Sequence, residues 1–279
     1  MKCPLKDLTV HYVTHGKGKP VILLHGSTLD YRSMVGCMEP IFTQRPGWQR
    51  FYLDLPGHGQ TPAPNWITNQ DHMLQVILDF IDAVIPNQPF LLVGLSYGGY
   101  LARGVLYQRM DQVTGLLLIV PRIVSEKPDR TLPPKTVLVR DDAFLATLPP
   151  EERAGFTEVA VIQTPEHWHR YDPLITPGVN LANHEFLNTL FTHGNEFSFN
   201  LNAQPAPFPH PVLILVGRQD HWVGYQDAWS IIEHYPRATF AVLDRSGHCL
   251  QLEQTQIFNT LVNEWLDRIE EQAISLKKI

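Results

Sequence analysis

The feature that most constrains this chain is a series of short, unbroken apolar runs, each stopping at Gly, Asp, Ser or Pro. Val21-Ile22-Leu23-Leu24 meets His25-Gly26, and Phe51-Tyr52-Leu53-Asp54 meets Leu55-Pro56-Gly57. Phe90-Leu91-Leu92-Val93 meets Gly94-Leu95-Ser96, and Leu116 to Val120 stops at Pro121. Val212 to Val216 ends at Gly217, and Thr239 to Leu243 at Asp244. Continuous runs, unlike alternating ones, suit strands covered on both faces, as in a parallel sheet. Helical patterns lie between them. Met73, Val76, Ile77, Phe80, Ile81 and Val84 recur every 3.6 residues after Asn69, a plausible N-cap. Ile257, Leu261, Val262, Trp265, Leu266 and Ile269 mark a C-terminal amphipathic helix. Strand–helix alternation predicts an α/β fold with a mostly parallel sheet flanked by helices. The alternating Leu8 to Val13 predicts an antiparallel start, turning at Gly16–Gly18 into the next strand.

The middle of the chain breaks this rhythm. Of 23 prolines, 13 fall between Pro121 and Pro211, and no buried-strand pattern stands out there. Pro150-Glu151-Glu152 and Thr164-Pro165-Glu166 open two helical patterns, with Pro and acids in the first turn. Asn183 to Gly194 reads as a third, with a Gly stop. The expected organisation is a core of residues 1–121 and 209–279, interrupted by a helical insertion over 122–208.

Composition narrows the function. A hydrophobic content of 44% supports a sizeable core. The net charge of −6, with no basic run except Lys277-Lys278, argues against nucleic acid as a partner. No apolar stretch is long enough to span a bilayer, so no membrane partner is expected. No secretory h-region follows Met1, and the three cysteines, Cys3, Cys37 and Cys249, show no C-x-x-C spacing. A cytoplasmic protein without disulfides or a zinc cage is the expectation. Gly16-Lys17-Gly18-Lys19 reads as a turn, being neither a P-loop nor a dinucleotide fingerprint, so no cofactor is expected. His167-Trp168-His169 on a helix would point its rings apart, and no metal is expected.

The chemistry centres on Gly94-Leu95-Ser96-Tyr97-Gly98, a G-x-S-x-G sequence between an apolar strand and a helical run. A sharp strand-to-helix turn needs small residues around the Ser, which it leaves exposed as a nucleophile. Serine needs a base, and the base an orienting acid. Among 13 histidines only position can choose, and His248 follows the last strand run. Asp220 follows the strand before it; Asp244, four residues before His248, is the other candidate acid. The chain order Ser96, Asp220, His248 is that of a nucleophile-elbow hydrolase. The backbone N–H of Tyr97 would be one donor to the oxyanion of the tetrahedral intermediate.

His25-Gly26 after a strand, Asp54-Leu55-Pro56-Gly57-His58-Gly59, Gly94 to Gly99, Gly217-x-x-Asp220 and Gly247-His248 occur in the order typical of one superfamily. The chain resembles the α/β-hydrolases over roughly residues 8–121 and 208–270. The resemblance implies an eight-stranded, mostly parallel sheet and a cap over the site formed by the insertion. It also implies the Ser27 backbone N–H as second oxyanion donor, with His25 anchoring that loop. Ser at position 96 disfavours the dehalogenase and epoxide hydrolase branches, which use Asp. The expected activity is that of a serine hydrolase of small, partly apolar carboxylic esters. The alternative is a carbon–carbon hydrolase of 2-hydroxy-6-oxodienoates, although Ser27-Thr28-Leu29-Asp30 departs from the small residues usual there. A non-catalytic hydrolase-fold receptor or scaffold is the third reading.

Overall fold

The computed structural model describes residues 1–204 and 206–276. The apolar runs become strands of one eight-stranded sheet: β1 (Lys2–Pro4), β2 (Thr9–Gly16), β3 (Gly18–Leu24), β4 (Gly47–Leu53), β5 (Phe90–Leu95), β6 (Val113–Ile119), β9 (Val212–Gly217) and β10 (Ala238–Leu243). The spatial order is β1-β2-β4-β3-β5-β6-β9-β10. From β4 to β10 every pairing is parallel; β2 pairs antiparallel with β1 and β4. The antiparallel start is therefore present, and the chain does turn at Gly16–Gly18. Yet β2 and β3 are not neighbours, because β4 lies between them. The short β1, made from residues with no apolar pattern, was not foreseen.

Successive residues of each central strand face opposite layers. Ile22, Leu24, Leu92, Leu116, Leu118 and Ile214 belong to one core, and Val21, Leu23, Leu91, Val93, Leu117 and Leu215 to the other. The first is covered by α2 (Gln70–Val84) and α3 (Tyr97–Arg109), with α8 (Tyr225–Trp229) at one end. The second is covered by α1 (Tyr31–Phe42) and α10 (Thr255–Leu276). Asn69 caps α2 through the His72 N–H, as its sequence position suggested. On α10, Phe258, Val262, Trp265, Leu266 and Ile269 are buried, but Ile257 is 45% exposed. The inward stripe starts one residue later than the periodicity placed it.

Between β6 and β9 the three expected helices form: α5 (Pro150–Val159), α6 (Pro165–Leu181) and α7 (His184–His193). They are joined by α4 (Asp142–Leu145) and, against expectation, by two two-residue strands, β7 (Val139–Arg140) and β8 (Ile162–Gln163). Leu145, Phe156, Trp168, Tyr171 and Ile175 pack with Cys249 and Leu252 into a third apolar cluster, which bridges this segment to the core. Leu252 lies in the short helix α9 (Leu250–Glu253), and Cys249 is its N-cap. Phe186 and Leu190 join the main core instead.

The chain runs from β3 to β4 on one side, then to β5 on the other, so the strand order reverses between β3 and β5. Ligands of open α/β sheets bind at such a reversal, beyond the strand C-termini. The two elements meet closely there: a Cβ on Gly98 would lie 2.2 Å from the Leu24 carbonyl oxygen and 2.5 Å from that of His25. A Cβ on Gly155, in contrast, would meet only the Tyr171 hydroxyl, at 3.9 Å. Gly98→Ala should therefore cost at least about 2–3 kcal/mol by overpacking backbone and lower Tm by at least about 4 °C. Gly155→Ala, inside a helix, should keep or raise Tm. Calorimetry of the two variants checks both, and an unchanged Tm for Gly98→Ala would refute the tight contact.

Candidate active site

Ser96 sits at the turn from β5 into α3 with φ 53° and ψ −113°, a left-handed backbone rarely adopted by a residue with a side chain. The turn is held by backbone bonds on both sides: Ser96 N–H donates to Ile119 (2.9 Å), and the Arg122 and Gly99 N–H groups donate to the Ser96 carbonyl (3.0 and 2.9 Å).

Three loops converge on Ser96. The loop after β10 brings His248, whose Nε2 lies 2.8 Å from Ser96 Oγ. The loop after β9 brings Asp220, whose Oδ2 lies 2.9 Å from His248 Nδ1. Asp220 Oδ1 accepts the N–H groups of Trp222 (2.8 Å) and Val223 (3.1 Å). Burial alone would raise this carboxyl, which is 1% exposed; His248 and the two amides outweigh that and hold it below its usual range. An ionised Asp220 accepts a hydrogen bond from Nδ1–H, which keeps the proton on Nδ1 and leaves Nε2 as acceptor for the Ser96 hydroxyl. Asp244 is exposed and accepts from Gln219 Nε2 (2.7 Å), away from His248. The ring of Trp222 stacks on His248, with centroids 5.8 Å apart and planes at 19°.

The loop after β3 supplies the opposite wall. His25, fully buried, donates from Nδ1 to the Gly26 carbonyl (2.7 Å) and accepts the Leu55 N–H at Nε2 (3.0 Å). Burial and neighbouring His58 push its pKa well below the usual value, so the ring is neutral, as this bonding requires. His58 bonds the Pro56 carbonyl, and burial lowers its pKa to about 4. These rings shape backbone and do not reach Ser96. The Ser27 and Tyr97 N–H groups donate to no group among the described residues.

Above Ser96 lies a cavity of about 240 Å³. Its floor includes Ser27, Leu29, Ser96, Trp222 and His248, and its roof Gly155, Val159, Tyr171, Ile175 and Val179 from α5 and α6. Its one carboxylate, Glu158, is paired with Lys135 at 2.5 Å, and no Lys or Arg lines it. Cys249 lines it too, but burial raises its thiol pKa well above the usual value, leaving it protonated. His167 bonds Thr164 and His169 is exposed, so they do not converge; no cluster of three metal-ligating side chains occurs among the described residues.

Sequence reasoning missed Glu253. Its Oε1 accepts the N–H groups of Val161 (2.6 Å) and Ile162 (3.2 Å), and its Oε2 that of Gly247 (2.7 Å). Burial pushes this carboxyl up to about 7 despite the three amides. The one available signal was an acid closing the apolar stretch Cys249 to Leu252.

Comparison with known proteins agrees with this architecture. A family model described as "Alpha/beta hydrolase family" matches residues 21–260. A solved alpha/beta superfamily hydrolase from Oenococcus oeni PSU-1 is 30% identical and superposes with a TM-score of 0.87, over 97% of this chain and 99% of its own. A pimeloyl-[acyl-carrier protein] methyl ester esterase of Legionella pneumophila (strain Paris) is 24% identical, over 93% of this chain and 100% of its own. A 2-hydroxy-6-oxo-6-(2'-aminophenyl)hexa-2,4-dienoic acid hydrolase of Metapseudomonas resinovorans is 22% identical, over 92% and 87%. With the family match running from β3 into α10 and the solved relative covering nearly the whole chain, this protein belongs to the α/β hydrolase family.

Proposed function

We propose that this enzyme hydrolyses small carboxylic esters through an acyl-enzyme on Ser96. The observation that carries the reading is the unbroken relay from Asp220 through His248 to Ser96 at the floor of an apolar cavity. Ser96 Oγ attacks the carbonyl carbon while His248 Nε2 takes its proton, and Asp220 stabilises the imidazolium that forms. The free Ser27 and Tyr97 amides flank the place where the carbonyl oxygen becomes negative and would hold it there. The intermediate collapses, and His248 returns the proton to the departing alkoxide. Water then attacks the acyl group with His248 as base, freeing the acid and Ser96. The segment 122–208 acts as the lid. Its α5 and α6 roof the cavity, exclude water and thereby strengthen those contacts. Three unpaired, buried cysteines fit a cytoplasmic setting.

The Legionella relative is a methyl ester esterase and the Metapseudomonas relative a 2-hydroxy-6-oxodienoic acid hydrolase, so the lining must choose between ester and carbon–carbon cleavage. A 2-hydroxy-6-oxodienoate carries a carboxylate, and burying one without a cation costs free energy that nothing here offsets. The absence of Lys and Arg from this lining favours an uncharged ester. The relay itself disfavours the scaffold reading, since binding alone does not require it.

Three outcomes are expected. A fluorophosphonate probe should label Ser96, and Ser96→Ala should abolish labelling and lower kcat by about 10⁶; labelling elsewhere would refute the nucleophile. Asp220→Asn should lower kcat by roughly 10³–10⁴ through the wrong imidazole tautomer, and Asp244→Asn by far less; reversed ranks would move the acid to the β10 loop. In parallel assays, p-nitrophenyl acetate or butyrate should turn over at least ~100-fold faster than a 2-hydroxy-6-oxodienoate, the size of gap one unmatched buried charge creates. The opposite order would make this a carbon–carbon hydrolase.

A further inference from the structure

The roof over Ser96 is thinnest at Gly155. Two hollows lie between α5 and α6: the cavity of about 240 Å³ above Ser96, and an outer one of about 670 Å³ that reaches Pro150 and His184. Gly155 on α5 and Tyr171 and Val179 on α6 line both of them. At that shared wall a Cβ on Gly155 would meet nothing within 4 Å except the Tyr171 hydroxyl, at 3.9 Å. Gly155 is also exposed, although it borders the cavity. The Tyr171 ring is held in place by Trp168, stacked at 5.8 Å, and by Phe156 at 5.2 Å, so it does not fill the gap by turning. A glycine inside a helix costs roughly 0.5–1 kcal/mol relative to alanine. The chain therefore keeps this spot open against the preference of its own helix.

We propose that the gap between Gly155 and Tyr171 is a passage through which a long, uncharged acyl chain runs from Ser96 into the outer hollow, and that the missing side chain at Gly155 sets the chain length accepted. The inner walls, Leu29, Ile175 and Val179, suit an alkyl chain, and nothing charged stands at the shared wall. Glu151 and Glu152 border the outer hollow, so a chain ending in a carboxylate is the poorer match. The acyl arm is assigned by the chemistry of departure. The leaving alkoxide takes its proton from His248, so the alcohol arm must lie beside that residue. Helix α5 meets the His248 loop at Val159, whose carbonyl oxygen is 3.3 Å from a Cβ placed on Gly247. Gly155 lies one turn earlier, about 6 Å along the helix. On the facing helix, Gly178, next to Val179, packs on the backbone of Leu29. The passage is thus on the Leu29 side, opposite the leaving group. This inference rests on the reading of Ser96 as an ester nucleophile and widens it from short acyl groups to long ones.

Two ester series test it. In the acyl series, kcat/KM for p-nitrophenyl octanoate is divided by that for p-nitrophenyl butyrate; in the alcohol series, octyl acetate is compared with butyl acetate. The wild-type acyl ratio should be unity or higher, since the added methylenes find a place to go. In Gly155→Leu that ratio should fall about 10-fold or more, the size of effect a few methylenes have in an apolar pocket, while the alcohol ratio stays the same. Folding is checked by Tm, and Gly155→Met replaces Gly155→Leu if the latter does not fold. A wild-type acyl ratio below unity overturns the passage, as does a smaller fall in the variant. A fall confined to the alcohol series overturns the assignment of the arm and with it the proposal. If neither p-nitrophenyl ester is hydrolysed, the ester reading itself fails. The passage is then judged by the Tm rise from 2-decanone against that from 2-hexanone. A larger rise from 2-decanone that disappears in Gly155→Leu supports it, and any other result overturns it.

Discussion

The site depends on how closely helix α3 approaches strand β3. The Gly98 backbone lies where any side chain would strike the carbonyls of Leu24 and His25. That approach brings the start of α3, with Tyr97, against the end of β3 and the loop that carries Ser27. It also requires the left-handed turn at Ser96, a conformation costing roughly 1–3 kcal/mol. The cost is offset locally. The Ser96 carbonyl accepts three N–H groups, those of Gly99, Tyr100 and Arg122, and its own N–H is bonded to Ile119. Strand β6, through Ile119 and the residues after it, thus pins the elbow from the side away from β3. Ser96, as the proposed nucleophile, would on this account lose little freedom when substrate arrives, which is the condition for using binding energy on the transition state.

The sequence made legible whatever was decided by local pattern or by position along the chain. Strands β3, β5, β6 and β9 announced themselves because both of their faces are buried, which forces unbroken apolar runs. Ser96, Asp220 and His248 were legible because each follows the C-terminal end of a strand, and parallel topology sends all such ends to one edge of the sheet. What failed to show has a common cause. Strands β7 and β8 are two residues each, too short for any period, and their pairing is framed by the Leu138 and Val139 N–H groups donating to the Val161 carbonyl and the Asp141 N–H donating to that of Gln163. The turn at Gly16–Gly18 does not make β2 and β3 neighbours, because β4, arriving later in sequence, pairs with both strands. Ile257 lies outside the buried stripe that Phe258 begins.

The cavity wall was illegible for a different reason. Tyr171 and Gln251 are eighty residues apart in sequence and belong to elements with no shared pattern. Each taken alone reads as ordinary: a Tyr on an apolar helical face, and a Gln in a short helix. Only the folding of α6 over the C-terminal edge of the sheet, against α9, puts the two in one lining. The apolar residues of the insertion divide on the same basis. Val159 faces the cavity; Leu145, Phe156 and Trp168 hold the roof to the core; Phe186 and Leu190 serve the main core.

Glu253 joins these two parts of the molecule. One oxygen of its carboxylate takes the amides of Val161 and Ile162, at the base of the roof, and the other takes the amide of Gly247, adjacent to His248. A buried acid near Asp220 is electrostatically unfavourable, and the rise of its pKa to about 7 reflects this. An amide side chain could not replace it, since one of its two ends would donate where the backbone also donates. Two acceptor oxygens are needed because two backbone segments must be tied at one point. The loop that carries His248, the proposed general base, and the segment that roofs the cavity are therefore tied to one another through this carboxylate. A shift of the roof that altered which substrate fits would pull on Gly247, and through it on the 2.8 Å contact between His248 and Ser96. In the proposed mechanism substrate selection and proton transfer would share this one anchor, coupling the shape of the pocket to the geometry of the reacting groups.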